Sequence, residues 1–158
     1  MYFTSQRAVI GIGNDYRHDD GVGLEVARLV LRAGPDGARV VIGASDDYAL
    51  LAAWEDCERV YVIDCTQSGA VPGTIRSFDA RENAIPTEIF TSFSTHTLNL
   101  AKTIDLSRTL DKLPHELTIF GVEGADLSLG HGLTAKVQAS AIRVADLIVR
   151  YCAGARDA

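Results

Sequence analysis

The stretch Val60-Tyr61-Val62-Ile63-Asp64 indicates the fold class. Its first four residues are β-branched or aromatic and follow one another without a polar residue, which is typical of a strand buried on both faces. Such a strand needs helices packed on both sides of its sheet. Asp64 then stands at the carboxyl end of the predicted strand, the edge where open α/β sheets place their chemistry.

Strand and helix patterns alternate along the rest of the chain. Residues 7–13 form an apolar run, and after a glycine-rich loop apolar residues recur at helical spacing from Val22 to Val30. Further strands are predicted at 38–42, 74–78 and 117–122, and further helices at 46–54, from 97 and from 137. The pattern predicts a single α/β domain over 1–158, a three-layer α/β/α sandwich with a mostly parallel twisted sheet. Residues 153–158 are expected to be a loose tail.

Composition excludes several classes of protein. The 158 residues are 47% hydrophobic and 23% charged, which is typical of one globular domain. A net charge of −6 disfavours nucleic acid, because binding to phosphates needs clustered Lys and Arg. No apolar run is long enough for a membrane span, and the three cysteines lack a CxxC pair. We therefore expect a cytoplasmic protein without a membrane partner, a disulfide framework or a thiolate zinc site.

The loop from Gly11 to Gly23 only partly matches a dinucleotide-binding fingerprint. The third glycine of GxGxxG would fall at Tyr16, and the acidic side chains of the loop would repel a pyrophosphate. A protein that binds a nucleotide or another small ligand is therefore the weaker alternative. Gly11 and Gly13 are expected where the backbone turns sharply and a side chain would clash.

Three side chains are candidates for a site at the sheet edge. Asp20 follows the first strand, Asp64 follows the third, and His96 lies near the start of a helix. Two carboxylates and one imidazole suit a divalent transition metal with open positions. Each residue also has a structural interpretation: a solvated helix start for Asp19 and Asp20, a turn cap for Asp64, and a capping or partly buried imidazole for His96.

Other candidates are weaker. Three histidines compete with His96, namely His18, His115 and His131, and His18 is the strongest of them because it shares the acidic loop. Cys65 is expected in the core. The sequence contains no GxSxG elbow, which makes a serine hydrolase improbable.

The order of the motifs resembles one family over nearly the whole chain. Gly11-Ile12-Gly13-Asn14 with Asp19-Asp20-Gly21, Val62-Ile63-Asp64, Ser94-Thr95-His96-Thr97-Leu98 and Gly132-Leu133-Thr134 are similar to the NiFe-hydrogenase maturation proteases. The resemblance implies an endopeptidase that removes the C-terminal extension of a hydrogenase large-subunit precursor after nickel insertion. It places metal binding and catalysis on Asp20, Asp64 and His96. The nickel would come with the precursor, and no organic cofactor is implied.

The resemblance leaves parts of the mechanism open. Bound nickel could polarise the scissile carbonyl or activate a water, with a carboxylate handling protons. Many relatives carry an acid, two glycines and Thr after the second strand, whereas this chain reads Ile42-Gly43-Ala44-Ser45, so the class of hydrogenase is not indicated. Asp46 or Asp47 is a weak substitute for the missing acid. We expect a monomer, and the alternative to an enzyme is a non-catalytic module that binds nickel or the precursor.

Overall fold

The computed structural model describes residues 7–44, 46–91 and 100–154. Its strands are β1 (Arg7–Gly11), β2 (Ala38–Ile42), β3 (Arg59–Thr66), β4 (Ile75–Asp79) and β5 (Glu116–Glu123). Its α-helices are α1 (Val22–Ala33), α2 (Asp47–Trp54), α3 (Leu100–Thr109) and α4 (Ala135–Cys152). Two short 3-10 turns span His18–Gly21 and Thr87–Ile89.

The five strands form one sheet in the order β2-β1-β3-β5-β4. The first four strands in this order are parallel, and β4 pairs antiparallel with β5 at the edge. The predicted α/β fold with a mostly parallel sheet is therefore confirmed. β1 and β3 are parallel and direct neighbours, with Gly11 opposite Ile63. The loops that follow these two strands therefore leave the sheet on the same side, at the carboxyl ends of the parallel strands, which we call the carboxyl edge.

Alternate residues of the central strands face two hydrophobic layers. Val9 and Ile63 belong to the cluster that contains the buried faces of α1 and α4. Ile10 and Val62 belong to a second cluster, which contains apolar side chains of α2 and α3. The sheet is thus covered on both faces, as the uninterrupted apolar run in β3 predicts.

The close packing of α1 on the sheet depends on two glycines, Gly11 at the end of β1 and Gly23 in the first turn of α1. A Cβ on Gly23 would lie 2.2 Å from the carbonyl oxygen of Ile63 and 2.3 Å from that of Ile12. A Cβ on Gly11 would lie 2.1 Å from the carbonyl oxygen of Gly23. Neither position can hold a side chain unless the backbone shifts, so both glycines have a packing role that requires no nucleotide.

Several local expectations need correction or lie outside the described residues. β3 continues to Thr66, so Asp64 lies inside the strand opposite Gly121 and does not follow it. β4 begins one residue later than predicted, at Ile75. The segment 92–99, the residue at 45 and the tail 155–158 are not described. Among the described helices, none is long and apolar enough to cross a membrane.

Asp46, one of the two residues suggested as a substitute for the missing acid, has a structural role at the start of α2. Its side chain caps α2, because Oδ1 accepts a hydrogen bond of 2.8 Å from the backbone N–H of Ala49. An aspartate at this position satisfies a helix N–H that has no partner inside the helix.

Candidate active site

The carboxylates of Asp20 and Asp64 meet at the hydroxyl group of Thr91. Thr91 Oγ1 lies 2.5 Å from Asp20 Oδ1 and 3.4 Å from Asp64 Oδ1. Asp64 is fully buried and Asp20 is 9% exposed. The structure therefore brings together two of the three predicted site residues, at the carboxyl edge of the sheet.

Asp20 is held by the backbone of the loop between β1 and α1. Its N–H donates to the carbonyl oxygen of Arg17 at 3.0 Å, and its own carbonyl oxygen accepts from Asn14 N–H at 3.2 Å. Gly13 has a φ of +146°, and a Cβ there would lie 2.0 Å from the carbonyl oxygen of Asp20. Only glycine fits this turn, as predicted for Gly13, and the turn directs Asp20 inward.

Asp64 occupies a central strand, where its backbone cannot move far. Its Oδ1 accepts a hydrogen bond of 2.8 Å from the N–H of Cys65. Because β1 and β3 are neighbours, the loop that carries Asp20 begins beside Ile63, the residue that precedes Asp64. The expectation that the two strand ends are close is correct, and the turn-cap interpretation of Asp64 is wrong because the residue is inside a strand.

Thr91 was not expected from the sequence. It follows Phe90, which is buried and forms an antiparallel bridge with Thr66 at the end of β3. The region between β4 and α3 shows neither a strand nor a helix period, so no pattern pointed to this threonine. Only the path of the chain back to β3 places its hydroxyl between the two aspartates.

Asp19 has a different function from Asp20 although the two are adjacent. It is fully buried, so the interpretation of a solvated helix start is wrong. Its carboxylate accepts hydrogen bonds from the backbone N–H groups of Ala125, Asp126 and Thr134 at 2.7 to 2.9 Å. Asp19 thereby ties the loop after β5 to the loop after β1 and leaves Asp20 to face Thr91.

Glu123 is a further buried acid at the carboxyl ends of the parallel strands. Its carboxylate accepts from the hydroxyl of Thr66 at 2.7 Å, from Ser68 N–H and hydroxyl at 2.8 and 2.9 Å, and from Gly69 N–H at 3.0 Å. Burial acts to raise the pKa of Glu123, but these hydrogen bonds outweigh it and lower the pKa. The rule that identified Asp64, an acid at the end of a buried strand, would also have found Glu123.

The family of the chain is shown by comparison with known sequences. A model of the HycI hydrogenase maturation proteases matches residues 7–151. The chain belongs to the hydrogenase maturation protease family. A protein of Methanocaldococcus jannaschii described as a hydrogenase maturation protease is 30% identical over 124 residues, which cover 77% of each chain.

Solved structures share the fold. The hydrogenase maturating endopeptidase HybD from Escherichia coli superposes with a TM-score of 0.75 at 22% identity, over 92% of this chain and 91% of its own. The maturation protease HycI from Thermococcus kodakarensis gives a TM-score of 0.72 at 20% identity, over 94% and 92%. The family identifies the protein as a peptidase with a role in hydrogenase maturation, which favours the enzyme over a non-catalytic module or a nucleotide-binding protein.

The third predicted site residue of the protease, His96, lies outside the described residues. The competing histidines are placed elsewhere: His18 Nδ1 lies 3.0 Å from the carbonyl oxygen of Gly132, and His131 packs its ring edge-on against Tyr16. His115 directly precedes β5, so it lies at the amino ends of the parallel strands, away from Asp20 and Asp64. Within 7–44, 46–91 and 100–154, no three His, Cys, Asp or Glu side chains form a group that could hold a metal ion. The role of His96 stays a prediction.

Cys65 is not a nucleophile of this protease. It is fully buried in the layer of α1 and α4, as expected for a core residue. Burial raises the pKa of its thiol strongly, and the nearby carboxylates of Asp64 and Asp20 raise the pKa further. The thiol therefore stays protonated and unreactive near neutral pH.

Proposed function

We propose that this protease removes the C-terminal extension of a NiFe-hydrogenase large-subunit precursor after nickel has been inserted. The observation that supports the proposal most directly is the convergence of Asp20 and Asp64 on one hydroxyl group, in a chain of the hydrogenase maturation protease family. Both residues lie at the carboxyl edge of the sheet, where α/β proteins bind their ligands.

Two neighbouring carboxylates favour a cation between them. Their negative charges repel each other unless a proton or a positive ion intervenes, and burial strengthens the repulsion because it lowers the local dielectric constant. In the proposed reaction the nickel of the precursor, held there by the precursor's cysteines, is this cation. Asp20, Asp64 and His96 supply two carboxylate ligands and one imidazole ligand, a set that suits a transition metal.

The same side chains can serve the hydrolysis of a peptide bond. A carboxylate beside the scissile bond can accept a proton from the attacking water and return it to the leaving amine. Nickel bound by the substrate adds a Lewis acid next to that bond, either for the carbonyl or for the water. Recognition of nickel would thus restrict cleavage to precursors that already carry the metal.

The test compares two forms of one precursor. The purified protease is mixed with a nickel-loaded large-subunit precursor and, separately, with the same precursor prepared without nickel. Mass spectrometry then follows the loss of the C-terminal extension. We expect cleavage of the loaded form alone, and equal cleavage of both forms would refute the nickel requirement. Absence of cleavage of every nickel-loaded large-subunit precursor from the protease's own host would refute the proposed substrate.

A further inference from the structure

We propose that Thr91 is a positioning residue of this protease, whose hydroxyl holds the carboxylates of Asp20 and Asp64 in their converging arrangement. The consequence for cleavage rests on the proposed function. The contacts of Thr91 with Asp20 and Asp64 do not depend on the proposed function, and they can be measured on the protein without a precursor. Thr91 lies five positions before His96 and outside the motifs that resemble the family.

Among the residues that the structure describes, three acceptors face the hydroxyl of Thr91. Besides Asp20 Oδ1 at 2.5 Å and Asp64 Oδ1 at 3.4 Å, the carbonyl oxygen of Cys65 lies 3.3 Å away. A hydroxyl carries one proton, so it donates to one acceptor at a time, and the distances favour Asp20. This proton lies between two carboxylates and lessens their mutual repulsion.

The third acceptor matters once a cation binds. When both carboxylates direct their lone pairs at a metal ion, the Thr91 hydroxyl can turn its proton to the Cys65 carbonyl and keep a hydrogen bond. The Thr91 side chain can then keep its position both with and without a cation in the site. Groups that orient metal ligands in this way contribute strongly to metal affinity and activity.

The backbone at Thr91 is anchored well enough to position a neighbour. The preceding Phe90 is 2% exposed, and its ring packs edge-on against Phe78 at a centroid distance of 5.7 Å. A Cβ on Gly121 would lie 3.2 Å from the Phe90 ring, so β5 also packs closely against it. The Gln67 N–H donates to the Ile89 carbonyl at 2.7 Å, which pairs this segment with the chain just after β3.

Glu123 secures the other side of that pairing. Its carboxylate accepts hydrogen bonds from the hydroxyl of Thr66, the residue that bridges to Phe90. It also accepts from the N–H and the hydroxyl of Ser68. The end of β3, the segment before Thr91 and the end of β5 are therefore one connected structure. This connected structure fixes the backbone at Thr91 and thereby holds the Thr91 hydroxyl next to the two aspartates.

The experiment compares T91V with T91S. Valine keeps the shape of threonine but has no hydroxyl, whereas serine keeps the hydroxyl. At saturating nickel-loaded precursor we expect T91V to slow cleavage by about 10- to 100-fold, the range seen when groups that orient metal ligands are removed. T91S should keep most of the rate. Wild-type cleavage by T91V, or an equal loss in T91S and T91V, would overturn the proposal.

A second readout does not need the precursor. The side-chain carboxyl carbons of Asp20 and Asp64 are observed by NMR in labelled protein, with Asp19 as the internal control because its partners do not include Thr91. We expect both site signals to shift in T91V and to stay near the wild-type positions in T91S. Unchanged signals in T91V would overturn the proposal, whether or not the wild-type protease cleaves the precursor. If T91V does not fold, T91A removes the same hydroxyl with less side chain.

Discussion

Neighbouring residues of one loop perform separate tasks in this protease. Asp19 accepts hydrogen bonds from three backbone N–H groups after β5, whereas Asp20 faces Thr91 and Asp64. Asp15, in the same loop, forms an ion pair with Arg28 on α1. The three residues are all aspartates of one loop, and they differ in the groups that they contact. Substitutions in this loop can therefore distinguish a loss of stability from a loss of activity.

Substitutions of the proposed site should abolish processing without unfolding the protein. Asp20→Asn and Asp64→Asn keep the size of the side chain but remove its charge, and His96→Ala removes the proposed third ligand. We expect each to lower the cleavage rate of nickel-loaded precursor at least about 100-fold, because the nickel would lose a ligand. Asp15→Asn is the matched control and should leave cleavage unchanged, since its partly exposed ion pair contributes little. Normal cleavage by the three site variants would refute the assignment.

Glu123 should stabilise the fold only when it is ionised. Its pKa in the folded protein is below the ordinary value of 4.5, so its contribution is present above that pH and is lost as the pH falls through the folded pKa. Near neutral pH we expect Glu123→Gln to lower the free energy of unfolding by about 2 kcal/mol, the scale of hydrogen bonds to a charged group.

The measurement is urea unfolding of wild type and Glu123→Gln between neutral and acid pH. The difference between the two proteins should shrink as the solution becomes acid, because the wild-type carboxylate is then protonated. Glu82, which is exposed in the turn after β4, provides the control Glu82→Gln, with a change expected within about 0.5 kcal/mol. A difference that stays constant with pH would contradict this role of Glu123.

Among the secondary-structure elements, α1 packs so closely on β1 and β3 that their backbones are in contact. Apolar periodicity predicted α1 correctly from Val22, and the glycines and proline after Ala33 mark its end, where Gly34 has a φ of +62°. The distance between α1 and β3 was not predictable. It depends on Gly23 lying against the carbonyl oxygens of Ile63 in β3 and of Ile12, the residue that follows β1.

Gly23→Ala should therefore damage the packing of α1. The added Cβ would overlap two carbonyl oxygens, and we expect a loss of about 3 kcal/mol in the free energy of unfolding. Gly34→Ala is the control, because nothing lies within 4 Å of a Cβ there and only the left-handed backbone is strained, which costs about 1 kcal/mol. Thermal unfolding measures both. A larger loss in Gly34→Ala would contradict the importance of close approach.

At the scale of the whole molecule, one sheet supports two hydrophobic layers. Trp54, the single tryptophan, is buried in the layer of α2 and α3, where its Nε1 donates to the Ser107 hydroxyl at 3.2 Å. Tyr61 and Tyr151 stack at 5.9 Å in the opposite layer. The strands contribute side chains to both layers, so neither layer can be lost while the other keeps its native packing.

We expect the protein to unfold in one cooperative transition. Tryptophan fluorescence reports the layer of α2 and α3, and near-ultraviolet circular dichroism from the stacked tyrosines adds a signal from the layer of α1 and α4. The two urea curves should coincide, as for a single domain of this size. Separate midpoints would contradict the prediction of one domain over 1–158. Sedimentation of the same sample tests the expected monomer.

The amino-acid sequence alone determined the alternation of strands and helices, the parallel sheet and the placement of Asp20 and Asp64 at one edge. These properties follow from local patterns: apolar periodicity, turn residues and the position of an acid relative to a buried strand. Parallel neighbours bring their carboxyl ends together, so two local patterns sufficed to bring two distant aspartates close.

The contacts of each acid depend on the folded arrangement of distant loops. Thr91 lies 71 positions from Asp20, and Thr134 lies 115 positions from Asp19. No periodicity links residues so far apart, because such contacts depend on the paths of whole loops across the sheet. For the same reason the burial of Asp19, the hydroxyl between the two site carboxylates and the hydrogen bonds around Glu123 became visible only in the folded chain.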